Sequence, residues 1–462
     1  MIRLSEGLNF NYNVMNTEPE IDVGIICDEV INFKLKGDFV YGELKLPEGT
    51  YSVSINSDSI KIFSDDECVI EHEDILLQPG GIAKDSYFEL QNVTIGIGFH
   101  WEQKESQRFS GALRFIIEEG KVRVINRIGL EAYLKSVISS EMNAASSKEF
   151  LKAHAVISRS WLLAQLKNKI NESDSTDYKH LYPDSEDEII RWYDREEHMN
   201  FDVCADDHCQ RYQGISRIHR AEAINAVEET SGVVLVEGDK ICDARFSKCC
   251  GGVTENFENV WEPVRHKYLT KVFDATGDAS MCIDLRNENE ANTWIRSSPQ
   301  VFCNETNPAV LKQVLPDFDK ATVDFFRWEK VFTQIELAEL LKKLSGIDFG
   351  EIIKLEPVQR GHSGRIIKLK IYGTRRTLTV GKELEIRKWL SETHLYSSAF
   401  VIDYSNFIGE IPQKIKLTGA GWGHGVGLCQ IGAAVMGEQG YSFKQILMHY
   451  FQGASLKKIY IV

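Results

Sequence analysis

No run of eighteen apolar residues occurs in the 462-residue chain, which argues against a membrane-spanning helix. Excess positive charge is missing too. Fifty-three Lys and Arg stand against 68 Asp and Glu, a formal net charge of −15. Polyphosphate binding needs a basic surface, so nucleic acid is not an expected partner. The opening MIRLSEGLNFNYN has neither the basic nor the long apolar region of a secretory signal. Both a cytoplasmic protein and one whose leader has been removed fit that start. Cysteine is too sparse, ten in all, for a disulfide scaffold. Internal repeats, low-complexity segments and a phosphate loop with Gly-Lys-Ser/Thr are absent as well.

What is present is patterned. Acidic stretches such as SDDE (64–67) and DSEDE (184–188) read as solvated loops. From residue 20 to about 130 the chain runs in short alternating segments, DVGIICD, INFKLKG, TYSVSIN, SIKIFSD, LRFIIEE and KVRVINR. Period two with Asn, Asp and Gly between the runs predicts strands. At about residue 129 the period changes, and GLEAYLKSVISSEM places Leu130, Leu134, Val137 and Ile138 close to one helical face. Ser146 and Glu149 have capping-box spacing and predict a second helix with an inner stripe of Leu151, Ala155, Ser158, Leu162 and Leu166. Residues 171–200 are polar and irregular, as in a surface insertion. A helix at AEAINAVEETSG, a hairpin turning at Gly238-Asp239 and a helix over TQIELAELLKKLSG follow. Strands at IIKLEPV, GRIIKLKIYG and RTLTV come next, and SFKQILMHYF reads as a closing helix. The expected class is α+β. A β-rich N-terminal region (1–128) precedes a central helical core (129–275), a helical insertion (276–355) and a mixed C-terminal part (356–462) that returns to the core.

Five places could carry chemistry. Glu141 ends an apolar helix at a small-residue break, Met142-Asn143-Ala144-Ala145, where a carboxylate can act as a general acid or stand solvated at a helix end. Arg159, mid-helix among apolar neighbours, suits a clamp on a polar substrate or on a buried carboxylate, or a snorkelling helix edge. His198, Cys204, His208 and Cys209 offer two imidazoles and two thiolates within twelve positions, the composition of a tetrahedral zinc site. A Cys204–Cys209 disulfide and plain thiols stay open. RFSKCCGG sets Ser247 before the vicinal pair Cys249-Cys250, which can be reactive, ligating or simply packed. Last, GAGWGHGVGLCQIGA (419–433) crowds six glycines around His424, with Cys429 and Gln430 following. Bare backbone of this kind lets a ligand or a strand approach closely. Cys429 also admits a thiol nucleophile, or a small buried residue at a helix start.

Taken in order, AYLKSVISSEM (132–142), LKAHAVISRSW (151–161), DDHCQRYQG (206–214), the run from Glu222 to Trp261, SGRIIKLKIYG (363–373) and the glycine-rich stretch through Phe451 resemble the stage II sporulation protein D and LytB amidase-enhancer family over roughly residues 20–460. The resemblance implies peptidoglycan glycan strands as partner and, in some members, lytic transglycosylase activity that leaves 1,6-anhydro ends. Other members enhance a separate amidase. It implies Glu141 as the catalytic acid of the S-E-M motif, a glycan groove involving Arg159, Ser247, His424 and Gln430, and a structural zinc on His198, Cys204, His208 and Cys209. It also implies an extracytoplasmic location, without an organic cofactor. Two departures stand out: Asn143 where the family commonly has proline, and Cys249-Cys250 where it has small residues.

Overall fold

Alternation in VINFKLK puts Ile31, Phe33 and Leu35 into the interior and leaves Val30, Asn32, Lys34 and Lys36 in water. The same pattern builds two facing, largely antiparallel sheets. The computed structural model describes residues 17–81, 86–96, 102–142, 146–170, 184–192, 198–206, 208–218, 221–276, 283–314, 324–393 and 395–461. One sheet has six strands, in the order Gln103–Phe109, Tyr87–Ile95, Val30–Lys36, Gly49–Asn56, Ser59–Ser64 and Glu67–His72. The other has seven and is centred on Glu20–Asp28, Lys121–Gly129 and Ala112–Glu118. Phe33 meets Phe115 across the gap at 5.2 Å.

The last central strand runs directly into helix α1 (Leu130–Glu141), and helix α2 (Lys148–Ile170) follows. The expected stripe of α2 is buried, but so are Ala153, His154, Val156, Ile157, Arg159 and Ser160. A helix covered on nearly all sides is a spine between layers, not a surface element. Its cap falls one residue later than expected. Ser147 Oγ accepts from the Phe150 N–H at 3.4 Å, and Glu149 turns away to accept from the Phe443 N–H at 2.7 Å. The sheets, α1, α2, helix α3 (Ala221–Glu229) and the C-terminal helices share one continuous core. The N-terminal β region is therefore packed onto the helical core and does not have a core of its own.

A second core does exist. Trp328, Leu337, Leu341, Ile352, Leu369, Ile371, Phe400 and Leu417 form it, from strands Arg327–Thr333 to Ile411–Ala420 with helices Gln334–Ser345 and Glu383–Trp389. The first of these helices is bounded as its sequence predicts, by the Thr333–Glu336 capping box and by Gly346 at φ 75°. This unit straddles the 355/356 boundary drawn from the sequence and is richer in strand than a helical insertion. The reason is that the strands after residue 356 close onto the helix before it.

Part of the 171–200 stretch also joins this unit, since Glu188–Ile190 pairs parallel with Thr379–Gly381. Residues 171–183 and 193–197 lie outside the described residues, as do Asn143–Ala145 and the first sixteen positions. Among the described residues no helix is long and apolar enough to cross a membrane.

Candidate functional site

Glu141 closes α1 and is half-buried. Its Oε1 accepts from the backbone N–H of Arg211 at 2.9 Å. That donor belongs to a loop fixed on both flanks. The short strand Val203–Cys204 pairs parallel with Val23–Gly24 at the sheet edge. Tyr212 stacks on Tyr133 of α1 at 5.0 Å and donates its hydroxyl to Asn126 Oδ1 at 2.6 Å. Gln213 donates its N–H to Ser136 Oγ at 3.2 Å.

The same loop gathers the four candidate metal donors. The ligand atoms of His198, Cys204, His208 and Cys209 all lie within 4.8 Å of one another. Cys209 Sγ is 3.4 Å from His198 Nε2 and 3.5 Å from His208 Nδ1, and Cys204 Sγ is 3.9 Å from His208 Nδ1. A tetrahedral zinc with arms of about 2.0–2.3 Å has donor–donor edges of roughly 3.3–3.8 Å, so the set fits one such ion. Neither cysteine is in a disulfide, and the Cys204 thiol is held far below its usual range by hydrogen bonding from Cys209, His198 and His208.

A line of contacts then leads along α2 to the glycine-rich segment. Gln210 Nε2 donates to the Ser158 carbonyl at 3.5 Å. One turn back, the His154 ring meets Ser158 Oγ at 3.3 Å through Nδ1 and Gln430 Nε2 at 3.2 Å through Nε2. Burial pushes the His154 pKa down to about 3, so the ring is neutral and can accept from the Gln430 amide. Gln430 opens the helix Gln430–Glu438, and Cys429 before it pairs parallel with Ser247.

The residues expected to touch a glycan are thus brought together, but mostly below the surface. Gln430 and Ser247 are buried, and Ser247 Oγ has no partner among the described residues. His424 is partly buried. Its Nδ1 accepts from the Val426 N–H at 3.0 Å, and it also hydrogen-bonds the Phe246 backbone. Burial, then the Arg245, Arg365 and Arg387 charges, hold its pKa well below the usual value, so it is a neutral imidazole.

Arg159 needs the plainest correction. Its guanidinium is fully buried and bidentate on Glu131, with Nε to Oε1 at 2.9 Å and Nη2 to Oε2 at 2.6 Å. Of the roles open to it, the clamp on a buried carboxylate is the one realised. Glu131 also accepts from the Gly232 N–H at 3.1 Å and the Tyr460 hydroxyl at 2.5 Å, joining α1, α2 and the C-terminus.

The glycines are approached by protein. A Cβ on Gly425 (φ 77°) would stand 2.4 Å from the Arg365 guanidinium, and one on Gly427 (φ 76°) 2.0 Å from the Arg245 carbonyl. Trp422 stacks on Tyr396 at 4.2 Å in an aromatic cluster with Phe325. Cys429 is fully buried, which removes it as a nucleophile toward a polymer.

One organising residue had no signal of its own. Glu255, wholly buried, accepts from the Ser363 N–H and hydroxyl, the His362 N–H and the Asn259 amide. Two of those three residues lie more than a hundred positions away, where no local pattern could announce them.

Residues 118–236, which hold α1, α2 and the surface donor set, match the profile described as Stage II sporulation protein, SpoIID. This stretch of the chain is similar to the SpoIID family. Residues 255–427 match a second profile, Domain of unknown function (DUF8618). Among similar proteins is the stage II sporulation protein D of Bacillus amyloliquefaciens, 25% identical over 72% of this chain and 76% of that one. An uncharacterized protein of Brachyspira hyodysenteriae is 24% identical over 75% and 72% of the respective chains. The amidase enhancer of Bacillus subtilis is 22% identical over 70% of this chain and 40% of its own length.

Proposed function

We propose that this protein, similar to the SpoIID family over residues 118–236, works on the bacterial cell wall, outside the cytoplasm, as a lytic transglycosylase of peptidoglycan glycan strands. The observation that carries the reading is Glu141 itself. It is a half-buried carboxylate at the end of α1, inside the SpoIID match, with one oxygen fixed by the Arg211 N–H. Ordinary glycosidases need two carboxylates, because water must be activated or a covalent intermediate formed. Attack by the muramyl C6 hydroxyl needs one. Protonated Glu141 gives its proton to the glycosidic oxygen as the C1–O bond breaks. The C6 oxygen bonds to C1, and the Glu141 carboxylate takes the proton that oxygen loses. The products are a 1,6-anhydroMurNAc end and a new free GlcNAc 4-hydroxyl.

His198, Cys204, His208 and Cys209 are proposed to hold a structural zinc, which when bound would supply rigidity to the loop that presents Arg211. Ser247, His424 and Gln430 then support the site from beneath, and Arg159 holds α1 against α2.

Mass spectrometry of products from purified glycan strands, with and without stem peptides, tests this directly. Wild type should release anhydromuramyl ends and Glu141→Gln should not. Reducing ends would mean that water attacks instead and a second carboxylate acts. Similarity to an amidase enhancer favours a second reading, a glycan-binding protein that stimulates a partner amidase. Strand binding and amidase stimulation without strand cleavage by either protein form would select it.

A further inference from the structure

A second donor cluster lies in the interior, away from the surface loop. Cys250, Cys303, Cys429 and Asp274 are all at most 2% exposed, and their ligand atoms lie within 4.8 Å of one another. They come from four separate segments: a turn, the chain after Phe273, a loop before the Pro308–Val314 helix, and the N-cap of Gln430–Glu438. We propose that these four residues hold a second, buried structural metal ion of the zinc type.

The spacing is that of a single ion. Cys250 Sγ and Cys303 Sγ are 3.6 Å apart. Two thiolates on one tetrahedral zinc stand about 3.8 Å apart. An iron–sulfur cluster would need its cysteines spread around several metal atoms. A disulfide would need the sulfurs at about 2.0 Å.

The surroundings are arranged as ligand supports. The Cys250 N–H points at Cys429 Sγ at 3.2 Å, and the Gly252 N–H at Cys250 Sγ at 3.4 Å. A neutral thiol is a weak acceptor, whereas a metal thiolate takes such N–H bonds well. Asp274 is oriented through both oxygens, by the Tyr450 hydroxyl at 2.6 Å and the Cys303 N–H at 2.9 Å. This is the outer-shell support that ligating carboxylates usually carry.

Bound as ligands, the three cysteines would be thiolates. Three thiolates and a carboxylate then outweigh a divalent ion by two negative charges. Two guanidinium groups stand beside the turn to offset them. Arg365 Nη1 donates to the Cys250 carbonyl at 3.1 Å and Arg327 Nη1 to the Gly251 carbonyl at 3.2 Å. Cys249, also buried, packs its thiol beside those of Cys303 and Cys429 but lies outside the four-donor set.

Position gives the ion its role. Cys250 and Cys429 flank the 255–427 match on either side, while Asp274 and Cys303 lie within it. The ion would staple both ends of that segment to each other, next to the Ser247 strand and the start of the Gln430 helix. Neither the transglycosylase nor the enhancer reading is needed for this inference.

The test is metal content by elemental mass spectrometry on the full chain, produced with zinc present, for wild type, Cys204→Ser and Cys303→Ser. Two equivalents in wild type and one in each variant are expected. One equivalent that Cys204→Ser removes and Cys303→Ser keeps would overturn the proposal. So would an intact mass lower by two hydrogens with a Cys250–Cys303 linkage.

Should Cys303→Ser not fold, cobalt-loaded wild type still decides. Five cobalt–thiolate bonds, three buried and two at the surface, should give about 2.5 times the near-ultraviolet charge-transfer intensity of the surface site alone. Intensity from two thiolates only would overturn the proposal. Failure of the surface site would show instead as one equivalent that Cys303→Ser removes and Cys204→Ser keeps.

Discussion

The two donor clusters are built in opposite ways. The surface set draws His198, Cys204, His208 and Cys209 from twelve consecutive positions on one loop. The interior set joins residues as far apart as Cys250 and Cys429, 179 positions. A set made locally can form or open with its loop while the rest of the chain stays folded. A set that closes long loops is tied to the global fold, because ordering those loops is a cost shared with folding itself. The surface cluster should therefore govern the geometry around Glu141, and buried long-range ties such as the interior cluster and the Arg159–Glu131 pair the stability of the whole.

Four experiments press on that contrast, beginning with the largest effect. Arg159→Met leaves the Glu131 carboxylate buried without its cation and should cost about 3–5 kcal/mol in denaturant unfolding. The double variant Glu131→Gln/Arg159→Met should recover a large part of that. A loss below about 1 kcal/mol for the single variant would show that the pair is not a global tie.

Cys303→Ser should lower stability by about 3 kcal/mol, the contribution of an ion present at a hundred times its dissociation constant. Glycan turnover by whatever fraction remains folded should change little. Equal loss with and without chelator would argue that packing, not an ion, is responsible.

His154 gives an acid-sensitive term. Its folded pKa is about 3 against 6.5 ordinarily, so below about pH 6.5 the unfolded chain takes up the proton first. Stability is full above that pH and falls toward pH 3 with a slope of up to ~1.4 kcal/mol per pH unit. His154→Gln should flatten this part of the profile in pH-dependent melts, and an unchanged slope would assign it elsewhere.

The smallest stability change is expected for Cys204→Ser, under about 1 kcal/mol by thermal melt, because loop opening is local. On the proposed transglycosylase reading, turnover of glycan strands should nonetheless drop at least tenfold as the Arg211 N–H loses its hold on Glu141. Full activity in that variant would break the link between loop and acid.

What could be seen in the sequence follows the same division. Helix α1, the hairpin at Gly238-Asp239 and the helix from Gln334 to Ser345 were legible because period, cap and turn residues lie within a few positions. The nearness of His198, Cys204, His208 and Cys209 was legible for the same reason. Arg159 was misplaced because its partner, Glu131, lies 28 positions away on another helix. Asp274 and Cys303 gave no sign of belonging with Cys250 and Cys429, since only the fold sets them side by side. Even the cap of α2 moved by one residue once Glu149 found a partner at Phe443.

The glycine-rich segment carries a last consequence, for evolution. A methyl group added at Gly425 meets a guanidinium and one at Gly427 a carbonyl, both in left-handed backbone. Neither position can drift to another residue without rebuilding the strand behind it. Substitutions in this segment should therefore be tolerated at its non-glycine neighbours sooner than at Gly425 or Gly427.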